Sequence, residues 1–391
     1  MRRAIIIVCD SLGVGEQPDA HEFGDEGSNT LGHVIRDGAP HLPRLERLGL
    51  LATLPDGEAG PEVTAAWGRM EEKSAGKDTI TGHWEMMGVV TTDPFRTYPN
   101  GFPTEVIGEF ERRIGRKTLG NIPASGTVII DELGAEHIRS GFPIVYTSGD
   151  SVFQIAAHED VVPPEQLYEF CAAARDLMTG EHLVGRIIAR PFVGAGPGAF
   201  TRTANRRDLS VRPPSPTYLD RIRDAGVTTV GVGKISDIFD GVGIDREIRS
   251  ESNEDGMAIT RELMTGDDGL IFTNLVDFDS KYGHRNDPEG YARALERFDE
   301  AIGRLVDQAE PETLIFVTAD HGCDPSDVST DHTREYVPLL VLGRFIVSPV
   351  GLGTRPTFAD LGATVGQYLG ADIEGLPGES FLDLLPVGEI G

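Results

Sequence analysis

The chain has 391 residues, 39% of them apolar, which is enough for two domains that each bury a core. Acidic residues outnumber basic ones by 63 to 35, which gives a net charge of −28. Such a surface repels nucleic acid and anionic membranes, so we expect neither as a partner. The few lysines leave two interpretations open, a salt-rich cytoplasm or an ordinary acidic enzyme.

The cellular compartment is indicated by the cysteines and by the lengths of the apolar runs. Cys9, Cys171 and Cys323 have no paired spacing, which favours a reducing environment. No apolar run approaches the roughly 18 to 20 residues that span a bilayer, and the first run is too short for a signal peptide. We therefore expect a cytoplasmic protein. Its oligomeric state stays open, and a monomer is compatible with the sequence.

Short apolar runs alternate with helix-period segments along the chain. In chain order, the predicted elements are a strand "AIIIVCDS", a helix "PTYLDRIRDAG", strands "VTTVGVGK" and "GLIFTNLVDFD", a helix over 288–309, and strands "TLIFVTADHG" and "VPLLVLG". The helix over 288–309 has apolar residues at steps of three and four, namely Tyr291, Leu295, Phe298, Ile302, Leu305 and Ala309. This alternation predicts an α/β fold with a mostly parallel sheet between helices.

The middle of the chain interrupts this alternation. It contains two helix candidates, "TEVIGEFERRIG" and "PPEQLYEFCAAARDLM", and loops rich in glycine and proline. We predict that 96–213 form a smaller inserted α+β cap domain. Residues 1–95 and 214–391 would form the metal-binding catalytic core.

Acidic and imidazole side chains follow several of the predicted strands. Asp10, Asp279 and Asp320 come just after apolar runs, and the carboxyl ends of parallel strands meet at one edge of a sheet. The histidines near them are His284, His321 and His332. Mixed carboxylate and imidazole ligands suit Mn, Fe or Zn, and six of them suggest two ions. Any one of these residues taken alone could instead cap a loop.

Two neighbouring residues have plainer interpretations. Cys323 could bind metal, but a lone thiol is more often a small buried apolar group. Asp331 could be a ligand, but we expect it to orient a neighbour or cap a turn.

The stretch "SAGKDTITGHWEMMG" (74–88) has little periodicity and reads as a turn-rich loop. Glycine-rich loops allow the backbone to approach phosphate closely. Thr79 and Thr81 offer hydroxyls as possible nucleophiles, which need a base or a metal ion for activation.

A positive segment stands out in this acidic chain. Between Gly185 and Arg212 there are six arginines and one acid, Asp208. Arginine forks match phosphate oxygens, so this segment could attract an anionic substrate. The alternative is a solvated basic face.

Together, "CDSLGVGEQPDA", "GKDTITGHWEMMG", "RPFVGAGPGAFTRTANRRD", "GKISDIFDG", "NLVDFDSKYGHRNDPEGY" and "TADHGCDP…TDHTREYVPLL" resemble the phosphopentomutase family of the alkaline phosphatase superfamily. The resemblance implies an alkaline-phosphatase-like core, an inserted cap and two manganese ions. It also implies phosphoryl transfer between C1 and C5 of ribose or deoxyribose, through a phosphothreonine enzyme and a 1,5-bisphosphate. Priming would come from a sugar bisphosphate such as glucose 1,6-bisphosphate.

Motif by motif, the resemblance also implies roles for individual residues. Thr79 matches the phosphorylated nucleophile. Asp10, Asp320 and His321 match ligands of the metal that touches Thr79, and Asp279, His284 and His332 match ligands of the other. Asp150, Arg190, Arg202 and Lys234 match substrate-binding residues. The departures are Cys323, where the family pattern has Asn, and Cys9, where Met or another apolar residue is usual.

Two other functions remain open from the sequence. A metal-dependent phosphatase, sulfatase or phosphoglycerate mutase could use the same scaffold. A noncatalytic metal-binding or carbohydrate-binding protein is the second alternative. Neither ribose preference nor the metal present in the cell follows from the sequence.

Overall fold

The computed structural model describes residues 2–149, 151–266, 269–386 and 388. The chain forms two compact units, one from the residues up to Asp93 together with those from Pro213 onward, the other from Pro94–Arg212. The strands of the described residues are β1 (Arg3–Cys9), β2 (Ala66–Met70), β3 (Leu119–Pro123), β4 (Ile144–Thr147), β5 (Val152–His158), β6 (Arg186–Val193), β7 (Thr201–Arg202), β8 (Arg207–Ser210), β9 (Thr229–Val232), β10 (Arg246–Ile248), β11 (Leu270–Leu275), β12 (Thr313–Thr318), β13 (Val337–Leu342) and β14 (Val350–Arg355).

The α-helices of the same residues are α1 (Ala20–Phe23), α2 (Thr30–Gly38), α3 (Pro43–Arg47), α4 (Thr79–Met86), α5 (Thr104–Ile114), α6 (Gly126–Ser140), α7 (Pro164–Leu177), α8 (Tyr218–Asp224), α9 (Ile235–Ile238), α10 (Asn253–Leu263), α11 (Pro288–Gln308) and α12 (Ala359–Leu369). Short 3₁₀ turns span Leu50–Thr53, Gly180–His182, Gly283–Arg285 and Leu382–Leu384, and Phe278–Tyr282 forms a π-helical turn. Within the described ranges, no helix combines the length and apolar character needed to cross a bilayer.

The first unit is built on an eight-stranded sheet in the order β10-β9-β11-β1-β12-β13-β2-β14. Its neighbours run parallel except β13, which is antiparallel to both β12 and β2. The expected mostly parallel sheet is therefore confirmed. The apolar run "VPLLVLG" predicts the strand β13 but not that this strand runs antiparallel to its neighbours. All residues of β1, β11 and β12 are buried, and these three strands are adjacent and parallel. Their carboxyl ends therefore lie side by side at one edge.

Helix α11 follows the predicted pattern. It begins at Pro288, after Asp287, whose side chain accepts a hydrogen bond from the Gly290 N–H at 2.8 Å. The predicted apolar face is buried against the rest of the unit. The turn before this helix carries two of the predicted metal ligands, so the burial of α11 anchors that turn.

The segment 74–88 differs from the prediction, because its second half is a helix. Asp78 caps α4: its carboxylate accepts from the Ile80 and Thr81 N–H groups, and the Thr81 hydroxyl reaches back to the Asp78 N–H. Every residue from Ile80 to Met86 is buried. A helix buried on all sides has no amphipathic period, so no helical pattern is visible in this stretch of the sequence. The prediction of a loop was wrong for Thr79–Met86.

The second unit has a six-stranded sheet in which β3-β4-β5-β6-β7 are neighbours in that order and β8 also pairs with β6. Helices α5 and α7 pack against one apolar cluster that includes Phe153, Ile155 and Ile187. Helix α6 packs against a second cluster with Ile144, Tyr146 and Phe192. Helices thus cover both faces of this mixed sheet. Its function as a substrate-binding cap stays a prediction.

Candidate metal centre

All six predicted metal ligands lie together at the carboxyl edge of the large sheet. Asp10 follows β1 directly, and Asp320 and His321 follow β12. Asp279 lies in the π-helical turn after β11, His284 in the 3₁₀ turn before α11, and His332 in the segment that leads to β13. Among the described residues, Asp10, Asp320 and His321 form one group able to hold a metal ion, and Asp279, His321 and His332 form another. His321 belongs to both.

The first ligand group consists of Asp10, Asp320 and His321, all at most 1% exposed. The His321 Nε2 lies 3.5 Å from Asp10 Oδ1 and 3.4 Å from Asp320 Oδ2. Thr79 Oγ1 lies 3.2 Å from the same Nε2 atom. The predicted nucleophile is thus in direct contact with the first ligand group.

The second ligand group consists of Asp279, His284 and His332. His284 Nε2 lies 3.2 Å from Asp279 Oδ2 and 3.2 Å from His332 Nε2, and His332 Nε2 lies 3.6 Å from Asp279 Oδ1. The ring of His332 stacks on that of His321 with centroids 3.9 Å apart. The two groups therefore adjoin, with one imidazole of each in contact.

The donor atoms of these residues fit a pair of cations. Asp10 Oδ1, Asp279 Oδ1 and Asp320 Oδ2 are buried and accept no hydrogen bond within the described ranges, which is costly without a cation. The Nδ1 of His321 faces the Gly322 carbonyl at 3.0 Å, and the Nδ1 of His284 faces the Thr330 carbonyl at 2.6 Å. A carbonyl accepts only, so each Nδ1 carries a proton, and each Nε2 faces the centre and can bind a cation when it is not protonated.

The electrostatics also favour cations here. Burial, followed by the charges of Asp320 and Asp279, raises the pKa of Asp10 to about 7. Burial would raise the pKa of Asp279 as well, but the hydrogen bond from His284 and the charge of His332 hold it well below its usual value. Burial lowers the pKa of His284, and the contact with Asp279 outweighs it and raises that pKa to about 12. Without cations, the Asp10 carboxyl and the His284 imidazole thus hold protons that a bound cation would displace.

Thr79 reaches the centre because α4 packs flush against the end of β12. A Cβ on Gly82 would overlap the backbone carbonyl oxygen of Asp320. Only glycine therefore allows the first turn of α4 to approach the strand so closely. Thr79, the first residue of this helix, is half-buried with its hydroxyl on the ligand side.

Three further residues hold the first ligand group, and sequence reasoning missed them. Asn274 donates from Nδ2 to Asp10 Oδ2 at 3.0 Å. His83 donates from Nδ1 to the Thr79 carbonyl at 2.9 Å and lies against Asp320. Ser11 has φ = 76°, which is strained for serine, and its N–H donates to Asp320 at 3.1 Å. Asn274 alone gave a usable signal, as a polar residue within an otherwise apolar strand.

Cys323 and Asp331 lie beside the second ligand group. Cys323 is buried, its Sγ lies 3.8 Å from Nδ1 of His284, and burial raises the pKa of its thiol to about 12. With Asp279 and His284 it forms a further group of potential metal-binding side chains. Because the His284 lone pair points away from Cys323, a packing role agrees better with the geometry. Asp331 is exposed and accepts from the His332 N–H at 2.9 Å, as expected of a turn cap.

The predicted substrate-binding residues are spread over both units. Lys234 is an exposed residue between β9 and α9 of the first unit. Arg190 lies in β6 and Arg202 in β7 of the second unit. Asp150 lies outside the described residues. Their roles stay predictions.

Comparison with known proteins identifies the family. A family model described as the Metalloenzyme superfamily matches residues 2–373. A phosphopentomutase of Caldanaerobacter subterraneus subsp. tengcongensis is 54% identical over 390 residues, which cover 99% of each chain. A phosphopentomutase of Carboxydothermus hydrogenoformans is 55% identical over 376 residues, which cover 95% of this chain and 97% of the relative.

The fold has a counterpart among solved structures. The PH0037 protein from Pyrococcus horikoshii matches with a TM-score of 0.50 at 17% identity, over 95% of this chain and 98% of that one, a likeness that concerns the fold alone. The α/β fold with a mostly parallel sheet expected from the sequence is confirmed. The chain belongs to the phosphopentomutase family of the metalloenzyme superfamily.

Proposed function

We propose that this chain interconverts ribose 1-phosphate and ribose 5-phosphate, and the corresponding 2-deoxyribose phosphates, with Thr79 as the carrier of the phosphoryl group. The observation that supports this most directly is the 3.2 Å contact between Thr79 Oγ1 and Nε2 of His321. A hydroxyl at that distance from a ligand atom is within reach of a cation bound there. Membership of the phosphopentomutase family supports the substrate class.

Two cations complete this proposal. Asp10, Asp320 and His321 would hold one, and Asp279, His284 and His332 would hold the other. The mixed oxygen and nitrogen donors suit Mn²⁺, which we propose as the ion. When bound, the cations would neutralise charge on the transferred phosphoryl group and favour the ionised Thr79 oxygen.

The reaction would proceed in two half-reactions at Thr79. In the first, a hydroxyl of the pentose monophosphate forms a new O–P bond as the bond between phosphorus and Thr79 Oγ1 breaks. The hydroxyl's proton ends on Thr79, and the product is the 1,5-bisphosphate. In the second, Thr79 takes the other phosphate, and its proton ends on the sugar oxygen released. A sugar bisphosphate such as glucose 1,6-bisphosphate would prime Thr79 by the same step.

The second unit carries a cluster that suits a phosphate group. The Tyr146 hydroxyl and Nε of Arg190 are buried and lack a hydrogen-bond partner among the described residues. A Cβ on Gly126 would lie 2.6 Å from that hydroxyl and 3.1 Å from that nitrogen, so the first turn of α6 is beside both. Burial, together with the charges of Arg206 and Arg202, lowers the pKa of Arg190, although Tyr146 opposes this. A bound phosphate would relieve this accumulation of donors and positive charge.

We therefore propose that Arg190 and Arg202 bind a phosphate of the substrate, and that Lys234 and Asp150 also contact the substrate. This would make the second unit a substrate-binding cap. Excluding water during transfer would matter, because water attack on phosphothreonine would turn the mutase into a phosphatase.

The central test compares Thr79→Ala with Thr81→Ala. Thr79→Ala should abolish both mutase activity and phosphothreonine, measured by a coupled assay with ribose 1-phosphate and by mass spectrometry of the peptide. Thr81→Ala removes only the capping hydroxyl and should cost about 1 kcal/mol of stability with activity kept. Loss of activity in the Thr81 variant alone would refute the assignment. Release of free phosphate from ribose 5-phosphate by the native enzyme would favour a phosphatase.

The cap is tested by Arg190→Met, with Arg139→Met as control. Arg190→Met removes a charge-assisted contact and should raise KM for ribose 5-phosphate by about 10- to 100-fold, with Mn²⁺ content unchanged. Arg139 lies in the same unit on the exposed side of α6, where it pairs with Glu136, and its replacement should change neither quantity. An unchanged KM, or an equal loss of Mn²⁺, would contradict the division of roles.

A further inference from the structure

A buried arginine connects the ligand-bearing segment at His332 to the segment before Thr79. Arg334 lies two residues after His332 and is 3% exposed. Its guanidinium donates to Glu72 Oε2 at 2.9 Å and to the backbone carbonyls of Glu72 at 2.9 Å, Ser74 at 2.8 Å and Gly76 at 2.8 Å, and to Asp19 Oδ2 at 3.0 Å. Three of these acceptors are the backbone carbonyls of every second residue in the loop over 72–76.

The backbone of Arg334 adds another connection. Its N–H donates to Asp25 Oδ2 at 2.8 Å. The same carboxylate accepts from Lys77 Nζ at 2.9 and 3.0 Å. Residue 334 is therefore linked, directly or through one carboxylate, to positions from Glu72 to Lys77. Thr79 follows two residues later.

The N–H groups of this loop have other partners, among them the Thr91 carbonyl, which accepts from the Ala75 N–H at 2.8 Å. Its residues 72–78 belong to no helix or strand, so no ladder of backbone bonds fixes them. Glu85, in α4, accepts from the Lys73 and Ser74 N–H groups. The carbonyls on the other side depend on Arg334. A lysine there would offer one compact ammonium with three donors, which cannot reach acceptors spread over three carbonyls and two carboxylates.

We propose that Arg334 is a positioning residue for phosphoryl transfer. It holds the loop that ends at Thr79 in register with the segment that carries His332, and it thereby sets the rate at which Thr79 gains and loses a phosphoryl group. It touches neither ligand atoms nor the Thr79 hydroxyl, so affinities for cations and substrate should depend on it little. This inference rests on the proposed role of Thr79.

The experiment uses the full chain with Arg334→Lys and Arg334→Met. Dephosphorylated protein with Mn²⁺ is mixed with glucose 1,6-bisphosphate, and phosphothreonine at position 79 is followed over time by quenched mass spectrometry. We expect phosphorylation about 10²-fold slower in both variants, because a misplacement of about 1 Å costs that much. KM for ribose 5-phosphate and the Kd for Mn²⁺ should stay within about threefold.

Arg355→Met is the matched control. Arg355 is a half-buried arginine paired with a carboxylate, Asp360, and the hydrogen bonds of its side chain go to Asp360 and to the Glu379 carbonyl, outside the loop over 72–78. It should lower Tm about as much as Arg334→Met without slowing phosphorylation. If Arg334→Met does not fold, the same measurement is made on Arg334→Lys and on Glu72→Gln. Glu72→Gln keeps the shape of the side chain and removes the charge pair with Arg334.

The outcomes separate the two proposals. If native protein never acquires phosphothreonine at position 79, the proposed function fails. If native protein does and both Arg334 variants match its rate, only the positioning role fails. The positioning role would also fail if Arg355→Met slowed phosphorylation of Thr79 as much as Arg334→Met does, in proportion to the loss of Tm. General destabilisation would then explain the effect. A slow phosphorylation with unchanged KM and Mn²⁺ affinity supports it.

Discussion

The two ligand groups of the metal centre are built on different kinds of backbone. Asp10, Asp320 and His321 directly follow buried parallel strands, and their side chains are at most 2% exposed. Asp279 and His284 lie on irregular helical turns, and the His284 side chain is 30% exposed. Strand ends anchored in the sheet give a rigid, water-excluded group beside Thr79, whereas the turns give a group that solvent can reach. The half that contacts the nucleophile should therefore tolerate change least.

The largest effect is expected for Asp320→Asn. This change removes one of the two buried carboxylates of the first ligand group, so kcat should fall by about 10³-fold or more. The measurement is mutase turnover together with metal content by elemental analysis. Asp331→Asn is the matched control, because Asp331 is an exposed neighbour of His332 outside both ligand groups, and it should change kcat less than about threefold. Comparable losses in the two variants would contradict the picture.

A second comparison uses the histidines. His284→Ala should lower affinity for the second cation by about 10- to 100-fold, and added imidazole should restore much of the activity because the position is open to solvent. His321→Ala should lose activity that imidazole does not restore, since that ring is buried and also stacks on His332 of the second group. Titration with Mn²⁺ and turnover with and without imidazole give the answer. Equal rescue of both variants would show that the two halves do not differ in access.

A third prediction concerns the pH dependence of cation binding to the first ligand group. Burial and its acidic neighbours raise the pKa of Asp10 to about 7 in the cation-free protein, so a cation must displace its proton below that pH. Affinity for the Mn²⁺ ion held by the first ligand group should therefore rise with pH up to about 7, by up to about tenfold per unit, with proton release visible in calorimetry. Affinity that is flat from pH 5 to 7 would argue against Asp10 as a ligand.

The raised pKa of Asp10 also affects the free energy of unfolding. The folded carboxyl of Asp10 keeps its proton up to about pH 7, and the unfolded one only to about pH 4. Between these values the unfolded state binds fewer protons, so the cation-free fold loses stability as pH rises through that window. Denaturant unfolding with a chelator should show this decline, and saturating Mn²⁺ should remove it.

The smallest effect is expected for Cys323→Ser. The side chain packs beside His284 on the face away from the Nε2 lone pair, so kcat and Mn²⁺ affinity should change less than about threefold. A tenfold loss of affinity would identify the thiol as a ligand. Such a result would also add a thiolate to the second ligand group, which would then favour softer metal ions than its two histidines and one carboxylate do.

How much of the fold and of the candidate site could be predicted from the sequence depends on burial and periodicity. Helix α11 was predictable because one face is apolar, and α4 was not, because all of its residues after Thr79 are buried. The strand ends located Asp10 and Asp320 at one edge. The π-helical turn that carries Asp279 and the strained Ser11 depend on tertiary contacts, which no local pattern encodes. The partners of the ligands, His83 and Asn274, act across strands and helices far apart in sequence, so their contacts emerge only in three dimensions.

Gly82 carries a wider consequence. At this position the spacing between two backbones leaves less room than a single methyl group, and this close approach places the Thr79 hydroxyl 3.2 Å from Nε2 of His321. The position of the Thr79 hydroxyl is thus specified by a missing side chain, and new contacts nearby cannot replace that effect. An attempt to adapt this scaffold to a bulkier phosphoryl carrier would have to reshape the main chain itself and could not rely on exchanging the residues that line the centre.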